Sequence, residues 1–277
     1  MTLGTSSSTM VIFARTVLAR MRVRILATSQ QPLWLFADVV IPLITISGYI
    51  FLYKALKAPP AFSGFVLIGG IMAAFWANIL WSMAAQFYWE KETGNLEMYF
   101  VSPAPTMAVL LGMSLGSIIS TTLRATAILL LGSAIYSVPL TFGNPLPTLL
   151  IFILTLIAFY ALGMLFASLF MLYGREAWHT ANLLQEPVYF IGGFYFPIIG
   201  SSFAPLWLQA AASVVPVSFA IDALRKLVVL GQGIQSIQLD AFALIAFILI
   251  IIPLSKLTLD YMENLGRKEG RLTLRWQ

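Results

Sequence analysis

Glu90, Lys91, Glu92 and Glu97 gather four ionised side chains in one short stretch of a chain that is only 10% charged. Gly94 and Leu96 stand among them and Ser102-Pro103 closes the run. Acids at Glu90 and Glu92 suit a helix N-terminus and the proline suits its stop, so residues 89–103 read as one short helix in water. Other residues with chemical potential are scattered through apolar sequence. Asp38, Arg124 and Glu186 are ionisable. Asn78, Ser82 and Gln86 recur every fourth residue, and Tyr189, Phe190, Phe194 and Tyr195 form an aromatic group. The catalytic repertoire is thin. The chain has no Cys and one His, His179, which argues against thiolate or His-cluster metal sites and against a proton relay. No Gly-x-x-x-x-Gly-Lys-Ser/Thr phosphate loop occurs, so ATP is not bound in the usual way and this chain is expected to be no enzyme.

The elements that carry these residues are membrane helices. Hydrophobic residues make up 60% of the 277, against roughly 45–50% in soluble domains. Apolar runs near bilayer length fall at about 33–53, 63–87, 110–137, 147–172, 181–199 and 237–258, which reads as six transmembrane helices in an all-α polytopic protein. Before them, residues 8–27 place Met10, Ala14, Val17, Leu18, Met21 and Ile25 at helical spacing beside Arg15, Arg20, Arg22 and Arg24. This pattern belongs to an amphipathic helix at the membrane interface. Between the fifth and sixth spans, Pro197, Gly200, Pro205 and Pro216 cut residues 200–231 into pieces too short to cross. They read as outer re-entrant helices, with local ion pairs from Asp222 to Arg225 and Lys226.

Six spans put both termini on one side, and the basic residues choose it. The first helix, Lys91, Arg175, Lys256, Arg267, Lys268, Arg271 and Arg275 hold eleven of 16 Lys and Arg. Both termini, residues 89–103 and a tail over 259–277 are therefore expected in the cytoplasm of a multi-pass protein of the cell membrane. The net charge of +5 is read as orientation and contact with lipid headgroups rather than nucleic-acid binding.

Arg124 then becomes the costliest residue, since an arginine at mid-bilayer costs about 2.5–3.5 kcal/mol even on the lenient insertion scale. It continues a stripe of Gly112, Gly116 and Ser120, and its candidate partners are Asp38 and Glu186. A structural ion pair is the first reading, substrate binding the second. Asn78, Ser82 and Gln86 serve either helix contacts or a path, and the aromatics either an interfacial belt or a gate.

Two blocks carry a resemblance. Glu90-Lys91-Glu92-Thr93-Gly94-Asn95-Leu96-Glu97 with Ser102-Pro103 resembles a signature of permeases in the small six-span class of ATP-binding-cassette exporters. Gly193-Phe194-Tyr195-Phe196-Pro197, Pro205-Leu206-Trp207 and Pro216-Val217-Ser218-Phe219 resemble the last outer segment of the same class. The resemblance implies that residues 89–103 are the coupling helix that docks on an ATPase subunit, which holds the ATP and Mg. It also implies a dimer with a second copy or a sister permease, and an amphiphilic substrate such as a lipid-linked glycan, drug or lipid. The alternative is an ion-gradient-driven secondary transporter or channel.

Overall fold

The computed structural model describes residues 4–84, 89–90, 93–94, 98–99, 101–138, 140–141, 143–173, 176–201 and 204–269. Every element among them is helical: α1 Gly4–Ser29, α2 Pro32–Ala55, α3 Ala61–Asn78, α4 Thr106–Tyr136, α5 Pro145–Tyr173, α6 Glu176–Ile191, α7 Leu206–Ala212, α8 Pro216–Leu224 and α9 Gln238–Glu269. Wider π-helical turns extend α3 through Ile79–Ala84 and α8 through Arg225–Val229.

Five helical segments among the described residues are long and apolar enough to cross a membrane: Pro32–Ala55, Ala61–Ser82, Thr106–Tyr136, Pro145–Leu169 and Ile234–Gly266. The span expected over 181–199 is not one of them. Its helix, α6, has 16 residues and stops at Ile191, about 24 Å against the roughly 30 Å of a hydrocarbon core. The chain then turns at Gly193, where φ is +64°, and residues 194–199 pack back into the protein. The first part of the expected tail, from residue 259 to Glu269, is helical and continues α9.

α3 is the central post, with Val66, Leu67, Met72, Phe75 and Trp76 all closed off from solvent. It packs on α2, α4 and α8, while α5 lies along α9 and under the first π turn. The breaks anticipated at Pro205 and Pro216 are where α7 and α8 begin, because proline fixes φ for a first turn without giving up a needed N–H. α8 is no surface helix: residues 216–221 are all buried.

α1 lies along α4 rather than apart from the bundle. A Cβ at Gly112 would meet Val17 O at 2.5 Å, and one at Gly116 would meet Arg24 Cβ at 2.7 Å. The small-residue stripe read beside Arg124 is thus the seat of the N-terminal helix.

Candidate functional site

α2 and α4 bring together the charges the sequence set apart. Arg124 Nη1 donates to Asp38 Oδ2, Nη2 to Thr121 Oγ1 at 3.1 Å and Nε to Ser120 O at 3.3 Å. Glu186, the other expected partner, is exposed on α6, which packs against α5 and the first π turn while Arg124 faces α2. Asp38 and Arg124 line a cleft of 390 Å³ together with Trp34, Asn78, Trp81 and Ser82. Asn78 Nδ2 donates to Ser117 Oγ at 3.4 Å, whereas its Oδ1 is buried with no partner. The spacing of Asn78 and Ser82 therefore does set both on one cavity. Gln86 lies outside the described residues.

The ion pair is only partly enclosed, with side chains 19% exposed for Arg124 and 41% for Asp38. Removing one member of a fully enclosed pair costs ~3–5 kcal/mol. Arg124→Met is expected to lose about 2 kcal/mol in detergent, and Asp38→Asn in the same chain to restore part of it, as a double-mutant cycle of unfolding midpoints measures. An unchanged midpoint for Arg124→Met would remove the structural role.

The stretch 89–103 is not one helix. Trp89-Glu90 and Met98-Tyr99 are helical, but Thr93-Gly94 between them is a turn with Gly94 at φ +75°, a conformation glycine adopts without a Cβ penalty. Thr93 Oγ1 strengthens the turn by donating to Trp89 O at 3.0 Å. Lys91, Glu92, Leu96 and Glu97 lie outside the described residues. Tyr99 closes the turn by donating its hydroxyl to Glu90 Oε2 at 2.6 Å, and the Arg20 guanidinium of α1 sits 4.2 Å above the Tyr99 ring. Burial pushes Arg20 and Arg24 below the usual guanidinium range; Arg124 adds to this at Arg24, and Glu90 opposes it at both. Ser102 and Pro103 line a second cleft, of 580 Å³, with Lys256 and Asp260 of α9.

The aromatic group is dispersed. Phe194 is fully buried and meets Tyr189 edge-on at 4.9 Å, Tyr195 stacks on Tyr49 of α2 at 4.3 Å, and Phe190 is exposed beside Phe196. These rings join α2, α3 and the chain after α6; none lines the Arg124 cleft.

Arg225 is the residue sequence reasoning misjudged. Lys226 does pair with Asp222 at 2.5 Å and with Asp240 at 2.8 Å. Arg225 instead turns inward, 3% exposed, and donates to Phe65 O at 3.1 Å, Phe194 O at 2.7 Å and Phe196 O at 3.4 Å. It serves the Phe194 and Phe196 carbonyls freed beyond the end of α6 at Ile191 and ties them to Phe65 O of α3. The one signal was that break itself, which frees acceptors that some donor must meet.

Comparison with known proteins matches residues 12–229 to the ABC-2 type transporter family model. A protein described as a probable multidrug ABC transporter permease, YbhR of Escherichia coli K12, is 27% identical over 142 residues, and its counterpart in Escherichia coli O157:H7 is equally similar. The alignment covers 50% of this chain and 36% of each relative, so it spans about a third of those proteins' length.

Proposed function

The chain belongs to the ABC-2 type transporter family, and from that premise we propose that it is the membrane subunit of an ATP-driven exporter coupled to separate ATPase subunits. The family match carries this reading, since it runs unbroken from the N-terminal helix through residues 89–103 to the end of the second π turn. On this reading the ATPase partner binds ATP and Mg, and residues 89–103 are its docking surface. Glu90, Gly94, Ser102 and Pro103, with Lys91, Glu92, Leu96 and Glu97, would receive the motion of nucleotide binding. The contacts of Glu90 with Tyr99, and of Tyr99 with Arg20, offer a route from that surface into α1.

We propose that the chain acts as a dimer, a reading supported by α2, whose apolar window is only 11% buried and leaves Phe36, Ile41, Ile44 and Phe51 uncovered. A second permease copy, or a sister chain, would cover that face and form the path between protomers. Counting α6 as a short crossing gives six spans with both termini in the cytoplasm of the inner membrane, the side favoured by the basic residues. The substrate class is an amphiphile: a drug, as the name of YbhR indicates for that relative, or a lipid or lipid-linked glycan.

Co-expression with candidate ATP-binding-cassette ATPase subunits encoded in the same genome tests the reading. The ATPase is expected to copurify with the wild-type chain, and Glu97→Arg to reduce recovery at least tenfold, because a reversed charge in a docking surface costs more than 1.4 kcal/mol. Transport by the lone chain in liposomes without ATP would defeat it.

A further inference from the structure

The Arg124 cleft continues toward the junction of α1 and α2. A lobe of 220 Å³ lined by Arg24, Thr28, Gln31 and Trp34 shares Trp34, Asp38, Ser82 and Arg124 with the 390 Å³ cleft. The charges along its walls do not balance. Asp38 answers Arg124, but no carboxylate in the lining answers Arg24, whose Nε is buried without an acceptor. Glu90 acts on Arg24 only from outside the lining and already accepts from Tyr99. Beyond the charges, Asn78 Oδ1 is a buried acceptor without a donor. The far wall is apolar, made by Ile41, Pro42, Ala74 and Ala77. Trp34, 67% exposed, stands where the two lobes meet, a residue type that settles at the headgroup level of a bilayer.

We propose that this cleft binds the anionic headgroup of a membrane amphiphile. Its phosphate or carboxylate lies between Arg24 and Arg124, a hydroxyl donates to Asn78 Oδ1, and the first apolar carbons run along Ile41 and Ala74. Two guanidiniums facing a single carboxylate in the lining set the sign of the ligand's charge, the orphan amide oxygen calls for a donor, and the apolar wall distinguishes an amphiphile from a small soluble anion. As the loading site of an exporter the cleft rests on the reading above; as a binding site it does not.

The test uses the purified full chain in phosphatidylcholine nanodiscs, without ATPase or nucleotide, and reads tryptophan quenching by brominated lipid. Brominated phosphatidylglycerol is expected to quench in preference to brominated phosphatidylcholine. Arg24→Gln should cut that preference about fivefold, the effect of one basic residue at an anionic surface. Arg24→Lys should keep most of it, and Arg15→Gln, an exposed arginine on the same helix, should leave it intact. Equal quenching by the two lipids overturns the proposal. So does an Arg15→Gln loss as large as that of Arg24→Gln, which would mark a diffuse surface charge, or equal losses in the Gln and Lys variants. Inorganic phosphate separates the sources: if it displaces the lipid, the site takes phosphate from either source, and if it does not, the anion must arrive on a lipid. Failure of ATPase copurification with headgroup preference retained would remove the exporter reading alone.

Discussion

Gly69→Ala is expected to be among the most damaging single-methyl changes in the protein, lowering stability by about 3–5 kcal/mol. The added Cβ would fall 1.4 Å from the carbonyl oxygen of Phe194 and 3.2 Å from Arg225 Nη2. Backbone has to move to admit it, because the obstructing atom is not the tip of a flexible side chain. Overpacking of this kind costs about 1–3 kcal/mol. Displacing Phe194 O also breaks its 2.7 Å bond to the Arg225 guanidinium, worth a further ~1.5–3 kcal/mol. The comparison is Gly233→Ala, whose new Cβ has nothing within 4 Å and whose backbone at φ −80°, ψ 176° suits any residue. Thermal unfolding in detergent should place Gly233→Ala near wild type and Gly69→Ala far below it. Similar midpoints for the two would mean that the turn after α6 does not press on α3 as described.

Arg225→Met is expected to cost about 4 kcal/mol, for a reason opposite to the usual argument about buried charge. Replacing an enclosed ion by an apolar residue is often neutral, because the ion's desolvation penalty disappears with it. Here the partners are main-chain carbonyls of Phe65, Phe194 and Phe196, which remain buried after the guanidinium is gone. Phe65 O keeps its place in the α3 hydrogen-bond ladder, but leaving Phe194 O and Phe196 O without a donor costs about 1–3 kcal/mol each. Arg225→Lys should recover only a minor part, since one ammonium cannot replace a planar fork that bonds both α3 and the turn. The unfolding midpoint and protease cleavage within residues 194–201 report the loss. Gly69→Ala and Arg225→Met should also combine to less than their sum, because both act through Phe194 O. Full additivity would show that they act on separate contacts.

Much of the helical plan was legible because hydrocarbon imposes strong rules. Long apolar runs had to be helices, and Arg124 needed a partner among very few ionisable residues, so Asp38 could be named from sequence. Glu186 was named by the same rule and the rule failed, because hydropathy gives no facing direction and α6 turns that carboxylate outward. The shortness of α6 was hidden for a related reason: residues 194–199 are as apolar as a span but lie beyond Gly193, where the backbone reverses. Arg225 was misread because a local pair with Asp222 looked sufficient. Its real acceptor on α3 is 160 positions away, beyond any periodicity. Gly94 was read as part of a helix although its φ of +75° makes it the corner of a turn. Of the cleft, the Asn78 and Ser82 stripe and the Arg124 pair were visible; Arg24 was not, since its place depends on how α1 docks.

That docking has a mechanical consequence. Gly112 and Gly116 hold α1 against α4, the Arg124 and Asp38 pair holds α4 to α2, and only Gln30 and Gln31 separate α1 from α2. These fastenings tie the three helices pairwise, so a displacement of one is resisted by contacts on the other two. On the function proposed above, a push received at residues 89–103 would pass from Tyr99 to Arg20, enter α1 first and reach α4 and α2 through these contacts. Any such motion would be passed on at once to α3, which packs on both α2 and α4, so the three helices would load the central post rather than slide past it.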